Sequence, residues 1–175
     1  MNEQTWLEHM AAAEKTLYHV ACSLLTSESD REDAMVETAA RCWEHRDELR
    51  QEAYFTTWSV RILINVCHAM HRKSRRYVPL EAAPEPATES EGIGHLPLRM
   101  ALEALPEKQR LVTVMYYMEG FTIQEVGRVL NVPEGTVKAR LHAARKKLRV
   151  QLSEEKGGDE HDGKGTAKAA AECVR

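Results

Sequence analysis

The sequence predicts an all-α chain of two small helical domains joined by a flexible acidic linker. Three observations predict it: a C-terminal helix, stop and basic helix in succession, a proline-, glycine- and glutamate-rich stretch that divides the 175 residues, and three helical segments ahead of that stretch. The net charge of −3 hides an uneven distribution. Residues 81–97 carry four glutamates and no base, whereas residues 98–152 carry 10 basic and 5 acidic side chains. A basic module is thus tied by an acidic linker to a first module whose positive charge gathers at one end, His71-Arg-Lys-Ser-Arg-Arg76.

In the first module, residues 1–77, apolar spacing predicts a helix over about Glu3 to Leu25 that buries Leu17, Val20, Ala21, Leu24 and Leu25. A second helix is expected to start at Ser29, with Glu32 completing a capping box, and to run to about His45. A third is expected over about Ala53 to Arg75. Phe55, Trp58, Ile62 and Val66 are read as its core stripe, and Arg61, Asn65, His68 and Arg72 share a polar face. Residues 78–97 hold Pro79, Pro84, Pro86, Pro97, Gly92 and Gly94 among the glutamates, so they cannot bury a core and are expected to be extended or disordered.

The second module, residues 98–152, opens with a short helix over Leu98 to Leu105, ended by Pro106, and another over Glu107 to Met118, broken by Glu119-Gly120. Thr122 then reads as an N-cap with Glu125 in capping-box position, and Ile123, Val126 and Leu130 form the inner stripe of the helix that follows. Asn131-Val132-Pro133 stops it, because the residue before proline is pushed out of the helical region while proline suits the start of the next helix. A glycine inside a helix is unfavourable, so Gly127 is placed where the two helices cross closely. From Gly135 to Arg149 there are six basic residues and no acid, around an apolar stripe of Val137, Leu141, Ala144 and Leu148. Helix, turn and basic helix make a helix-turn-helix, which inserts its second helix into the DNA major groove. A basic run alone is more often a solvated face, and the preceding helix and turn favour the DNA reading. Residues 153–175, with four glycines among charges, are expected to be a disordered tail.

Several classes of function are disfavoured. The N-terminus lacks the positive flank of a signal peptide and the apolar runs are short, so no membrane insertion and a cytoplasmic protein are expected. Cys22, Cys42, Cys67 and Cys173 contain no C-x-x-C pair, so neither a disulfide framework nor a zinc site is suggested. A phosphate loop, metal-ligand spacing and a nucleophile–base order are all missing, so neither catalysis nor a cofactor is expected. A stand-alone helix-turn-helix regulator is the alternative, although no heptad or dimer helix is evident.

Asp30-Arg-Glu-Asp33, Glu37-Thr38, Arg41, Trp43, Phe55-x-x-Trp58, Arg61-Ile62, Asn65 and Arg72, followed by Leu105-Pro-Glu-Lys-Gln-Arg110, Glu119-Gly120 and Gly135-Thr-Val-Lys138, resemble the sigma-70 family, in particular its small extracytoplasmic-function (ECF) group with regions 2 and 4. The resemblance implies a transcription initiation factor that binds core RNA polymerase, through the beta-prime clamp and beta flap, and directs it to promoter DNA. It implies that Asp33, Glu37, Arg41 and Glu44 contact the clamp. It also implies that Arg61, Asn65, His68 and Arg72 face the minus-ten element, with an extruded base held by the loop from Arg46 to Tyr54 and stacked on Tyr54. In the second module Lys138, Ala139, His142 and Ala143 are expected to face base edges, while Thr136, Arg140, Arg145 and Lys146 meet phosphate. An anti-sigma factor is a further expected partner, and bound to polymerase the protein would be associated with the nucleoid. Val36, Ala39, Ile64 and Ala69 depart from the residues usual in relatives, and the last two are expected to make the DNA-facing helix less polar.

Overall fold

The computed structural model describes residues 1–77 and 96–154, and all regular structure among them is helical. The expected disorder of the linker and tail concerns residues that lie, but for the ends of two helices, outside the described ones. Seven α-helices follow one another: α1 (Glu3–Leu24), α2 (Glu28–Glu44), α3 (Phe55–Tyr77), α4 (Leu96–Glu103), α5 (Glu107–Thr113), α6 (Ile123–Leu130) and α7 (Glu134–Glu154). Two compact units result, the first holding α1–α3 and the second holding α4, α5 and α7.

In the first unit the three helices pack against one another. The Asn2 side chain caps α1 by accepting from the Thr5 amide at 2.8 Å, and Leu17, Val20, Ala21, Leu24 and Leu25 are buried as the spacing predicts. The cap of α2 differs from expectation. Ser27, in extended conformation, accepts from the Asp30 amide, so the cap lies two residues before Ser29 and the helix begins at Glu28. Both serines precede acidic residues, and the backbone conformation at Ser27 decides between them.

On α3, Phe55 and Val66 are buried as predicted, but Trp58 and Ile62 are half-buried. Val60, Leu63, Ile64 and Cys67 complete the buried face. A helix wedged between two others buries a wider arc than a single stripe, because α3 contacts both α1 and α2. Phe55 is 1% exposed, stacks on His9 at 5.1 Å between ring centroids and lies 5.8 Å from Trp58.

In the second unit α4 and α5 pack on α7. The helix expected over residues 107–118 is α-helical only to Thr113 and continues as one π-helical turn, Val114–Met118. Glu119 N donates to Val114 O at 3.1 Å and Phe121 N to Met115 O at 3.0 Å, and Gly120 takes the left-handed conformation at φ 71° that ends the segment. Thr122 and Glu125 form the expected reciprocal cap of α6: Thr122 N and Oγ1 each donate to Glu125 Oε2 at 2.8 Å, and Glu125 N donates to Thr122 Oγ1 at 3.2 Å.

Asn131 ends α6 at φ 52°, a left-handed conformation that asparagine tolerates, and Val132 N donates to Gly127 O at 3.0 Å. Pro133 O then accepts from Thr136 N and Val137 N, opening α7. A Cβ built on Gly127 would lie 3.0 Å from the Val132 carbonyl oxygen and 3.9 Å from Val137 Cγ2. The expected close approach is therefore present.

Gly127→Ala gains about 1 kcal/mol of helix propensity, but crowding a backbone carbonyl costs about 1–3 kcal/mol. We expect a net loss, read as faster hydrogen exchange of the α6 amides; unchanged or slower exchange would refute the close packing. Phe55→Ala should lower stability by about 3–5 kcal/mol, read as an earlier chemical-denaturation midpoint for the first unit.

Candidate nucleic-acid interface

The rotation of α7 about its axis follows from its buried residues. Val137, Leu141 and Ala144 are buried and Leu148 is half-buried, so the stripe read from the sequence faces the core of the second unit. At helical spacing, Lys138, Ala139, His142, Arg145, Lys146 and Arg149 fall on the opposite arc, and all six are exposed. Thr136, Arg140 and Ala143 are half-buried along one rim of that arc. Around the helix, Ala139 and Lys146 lie nearest the middle of the exposed arc, with the predicted base-edge positions Lys138 and His142 on one flank of it and Ala143 on the other.

The N-terminus of α7 points its first amides outward. Thr136 N and Val137 N are engaged by Pro133 O at 2.9 and 3.3 Å, so the amides of Glu134 and Gly135 are the ones placed for an external acceptor. A Cβ built on Gly135 meets nothing within 4 Å. Around this helix Arg110, its guanidinium pushed downward in pKa by burial, donates from Nη1 to Glu103 O at 2.9 Å and ties α5 to the end of α4.

In the first unit Arg61, Asn65 and Arg72 are exposed on α3, and His68 in the same row is half-buried. Ile64 does not belong to this surface. It is 5% exposed and part of the core, so its apolar character fills the interior and leaves the polarity of the outer face unchanged. Ala69 and Ala39 are half-buried.

On α2, Asp33, Glu37 and Glu44 are exposed, and the half-buried Arg41 donates from Nε to Glu37 Oε1 at 2.7 Å. All four residues lie along one side of the helix. Val36 stands beside them at 72% exposure, an apolar side chain on an otherwise charged surface.

Between α2 and α3 the chain makes two single helical turns, Arg46–Glu48 and Glu52–Tyr54. Tyr54 is 47% exposed, so its ring is available to stack on a planar group. The first turn is anchored by contacts that the sequence reading did not identify. The Arg46 guanidinium lies 4.1 Å from the Trp43 ring centroid and donates from Nη1 to Trp43 O at 2.7 Å, while Trp6 meets Trp43 edge-on at 5.3 Å. A tryptophan and an arginine three apart at a helix end were the available signal. His45 Nδ1 lies 2.8 Å from Glu48 Oε1 and braces the same turn.

Among the described residues no three His, Cys, Asp or Glu side chains gather to hold a metal ion, and no helix is long and apolar enough to cross a membrane. Cys22, Cys42 and Cys67 are free thiols, and burial pushes that of Cys42 up to about 12.

Residues 10–77 match the family model for Sigma-70 region 2, and residues 95–148 match that for Sigma-70, region 4. The chain is 29% identical over 155 residues to the ECF RNA polymerase sigma factor SigW of Bacillus subtilis, covering 78% of this chain and 82% of that protein. It is 32% identical over 161 residues to the ECF RNA polymerase sigma factor SigE of Mycolicibacterium smegmatis, covering 85% of this chain and 62% of that one. In fold it is similar to the sigma factor RpoE solved in complex with the anti-sigma factor NepR from Bartonella quintana, with a TM-score of 0.67 at 22% identity, covering 86% of this chain and 96% of that one. It is similar also to CnrH solved in complex with the cytosolic domain of CnrY, with a TM-score of 0.64 at 21% identity, covering 87% of this chain and 90% of that one. Two regions of one family, in order along the chain and spanning more than half of it, place this protein in the ECF group of the sigma-70 family, whose members are not enzymes and direct RNA polymerase to promoters.

Proposed function

We propose that the two units divide the promoter between them, residues 98–152 anchoring the minus-thirty-five element and residues 1–77 gripping polymerase and opening the minus-ten element, with residues 78–97 as an acidic tether and 153–175 as a tail. The observation that carries this reading is the arc of α7 opposite its buried stripe, which presents four cations and His142 with no acid among them. Lys138 and His142 read base edges from one flank of it, with Ala139 and Ala143 offering methyl contact. Arg145 and Lys146 neutralise phosphates of one strand. Thr136 and Arg140, together with the Glu134 and Gly135 amides, hold the other side of the groove.

In region 2, Arg61, Asn65, His68 and Arg72 line the surface for minus-ten DNA. Tyr54 stacks on a base drawn from the duplex, offsetting part of an unstacking cost of a few kcal/mol. Asp33, Glu37, Arg41 and Glu44 contact the beta-prime clamp, with Val36 adding an apolar contact, and region 4 meets the beta flap. The solved neighbours of similar fold are complexes with anti-sigma factors or a cytosolic partner domain, which supports an anti-sigma partner for this chain too. Such a factor works in the cytoplasm, on the nucleoid when bound to polymerase.

Co-purification with core polymerase, followed by runoff transcription and sequencing of the retained DNA, tests the assignment as a whole; failure to associate with core defeats the contacts proposed on α2. Lys138→Ala should change sequence preference by about 1–3 kcal/mol at one base pair. Arg145→Ala should weaken binding nearly uniformly and lower the salt slope by about one. Binding titrations over a promoter library at several salt concentrations measure both, and identical behaviour of the two variants refutes the division of roles. Tyr54→Ala should leave stability within about 0.5 kcal/mol yet reduce promoter opening, seen as weaker permanganate reactivity at minus-ten; wild-type reactivity would remove Tyr54 from the opening step.

A further inference from the structure

Arg31 is 3% exposed where α2 packs on α1. Its Nη1 donates to Cys22 Sγ at 3.6 Å, and its Nη2 lies 3.9 Å from Glu28 Oε2, too far for a hydrogen bond. Nε and Nη2 are both buried and have no acceptor. A guanidinium so placed is an unusual expense in a small helical unit, since buried donors are normally satisfied. Its one engaged donor, Nη1, meets a sulfur, a weak acceptor, that also receives a hydrogen bond from Tyr18. Cys22 is half-buried, whereas Cys42 and Cys67 are buried.

We propose that Cys22 is a site of reversible oxidation to the sulfenic acid by a hydroperoxide, with the added oxygen accepting a hydrogen bond from the unpaired donors of Arg31. The Cys22 sulfur attacks one peroxide oxygen, so that an S–O bond forms as the O–O bond breaks. Sulfur gives up two electrons and the peroxide is reduced. The departing hydroxide takes the thiol proton and leaves as water, or the alkoxide leaves as the alcohol. Burial pushes the Cys22 thiol upward in pKa and the Arg31 charge opposes it, so the reaction is slow at neutral pH and quickens as the pH rises and the thiolate forms. Oxidation adds to the long N–H···S contact an N–H···O bond from a charged donor and tightens α1 against α2.

The test uses the full chain carrying Cys173→Ser, exposed to hydrogen peroxide and trapped with dimedone, with the adducts located by peptide mass spectrometry. Cys22 should carry the adduct while Cys42 and Cys67 stay unlabelled. The yield at Cys22 should fall in Arg31→Lys, which lacks the forked donors, and rise in Glu28→Gln, which removes a negative charge that holds the thiol pKa up. No adduct at Cys22, labelling spread equally over the three cysteines, or an unchanged yield in either folded variant overturns the proposal. Should Arg31→Lys fail to give a cooperative thermal transition, Glu28→Gln alone decides.

Discussion

Burial of Val137, Leu141 and Ala144 against α4 and α5 is the constraint on which the DNA-binding end depends. A helix rich in cations could lie on a surface in any rotation, but three small or branched side chains locked in a core leave it one. The direction of every cation from Lys138 to Arg149 is then set by residues buried on the other side of the helix. The close approach at Gly127 and the left-handed Asn131 set the angle at which α7 leaves the turn, and the reciprocal cap at Thr122 and Glu125 keeps α6 from fraying where that angle is defined. Affinity at this interface is thus a property of packing as much as of charge.

Region 2 is organised differently. Its central helix α3 is covered on two sides, and aromatic rings from α1, α2 and α3 surround the turns that lead into it. Phe55 and Tyr54 are neighbours with opposite environments, one sealed against His9 and the other exposed. A sealed ring supplies the rigid floor that an exposed one needs to hold a geometry. The Trp43 and Arg46 pair performs the same service for the preceding turn.

Local chemistry was legible in the sequence, and long-range packing was less so. The cap at Thr122, the stop at Asn131-Val132-Pro133 and the stripe of α7 each rest on residues within a few positions of one another, and the structure shows all three. The face of α3 was only half legible, because Val60, Ile62, Leu63, Ile64 and Val66 put apolar groups on several sides and the neighbouring helices decide which are covered. The π-helical turn at Val114–Met118 left no local sign, since a single extra residue hardly disturbs an apolar run. Arg31 reads as a solvated charge in a polar stretch and is buried by α1, which lies outside any local window. The exposure of Lys138, His142, Arg61 and Asn65 on α7 and α3 was legible for the converse reason: in a helix, knowing what faces inward leaves the outward residues determined.

Gly135 gives this factor room to diversify. It stands in the first turn of α7, and the space where a side chain would begin is empty. Substitution there requires no repacking and no change in the turn, so its effect on stability is limited to helix propensity, which most residues improve over glycine. Substitution at this position therefore changes the exposed surface at the start of α7 while the packing beneath it is kept.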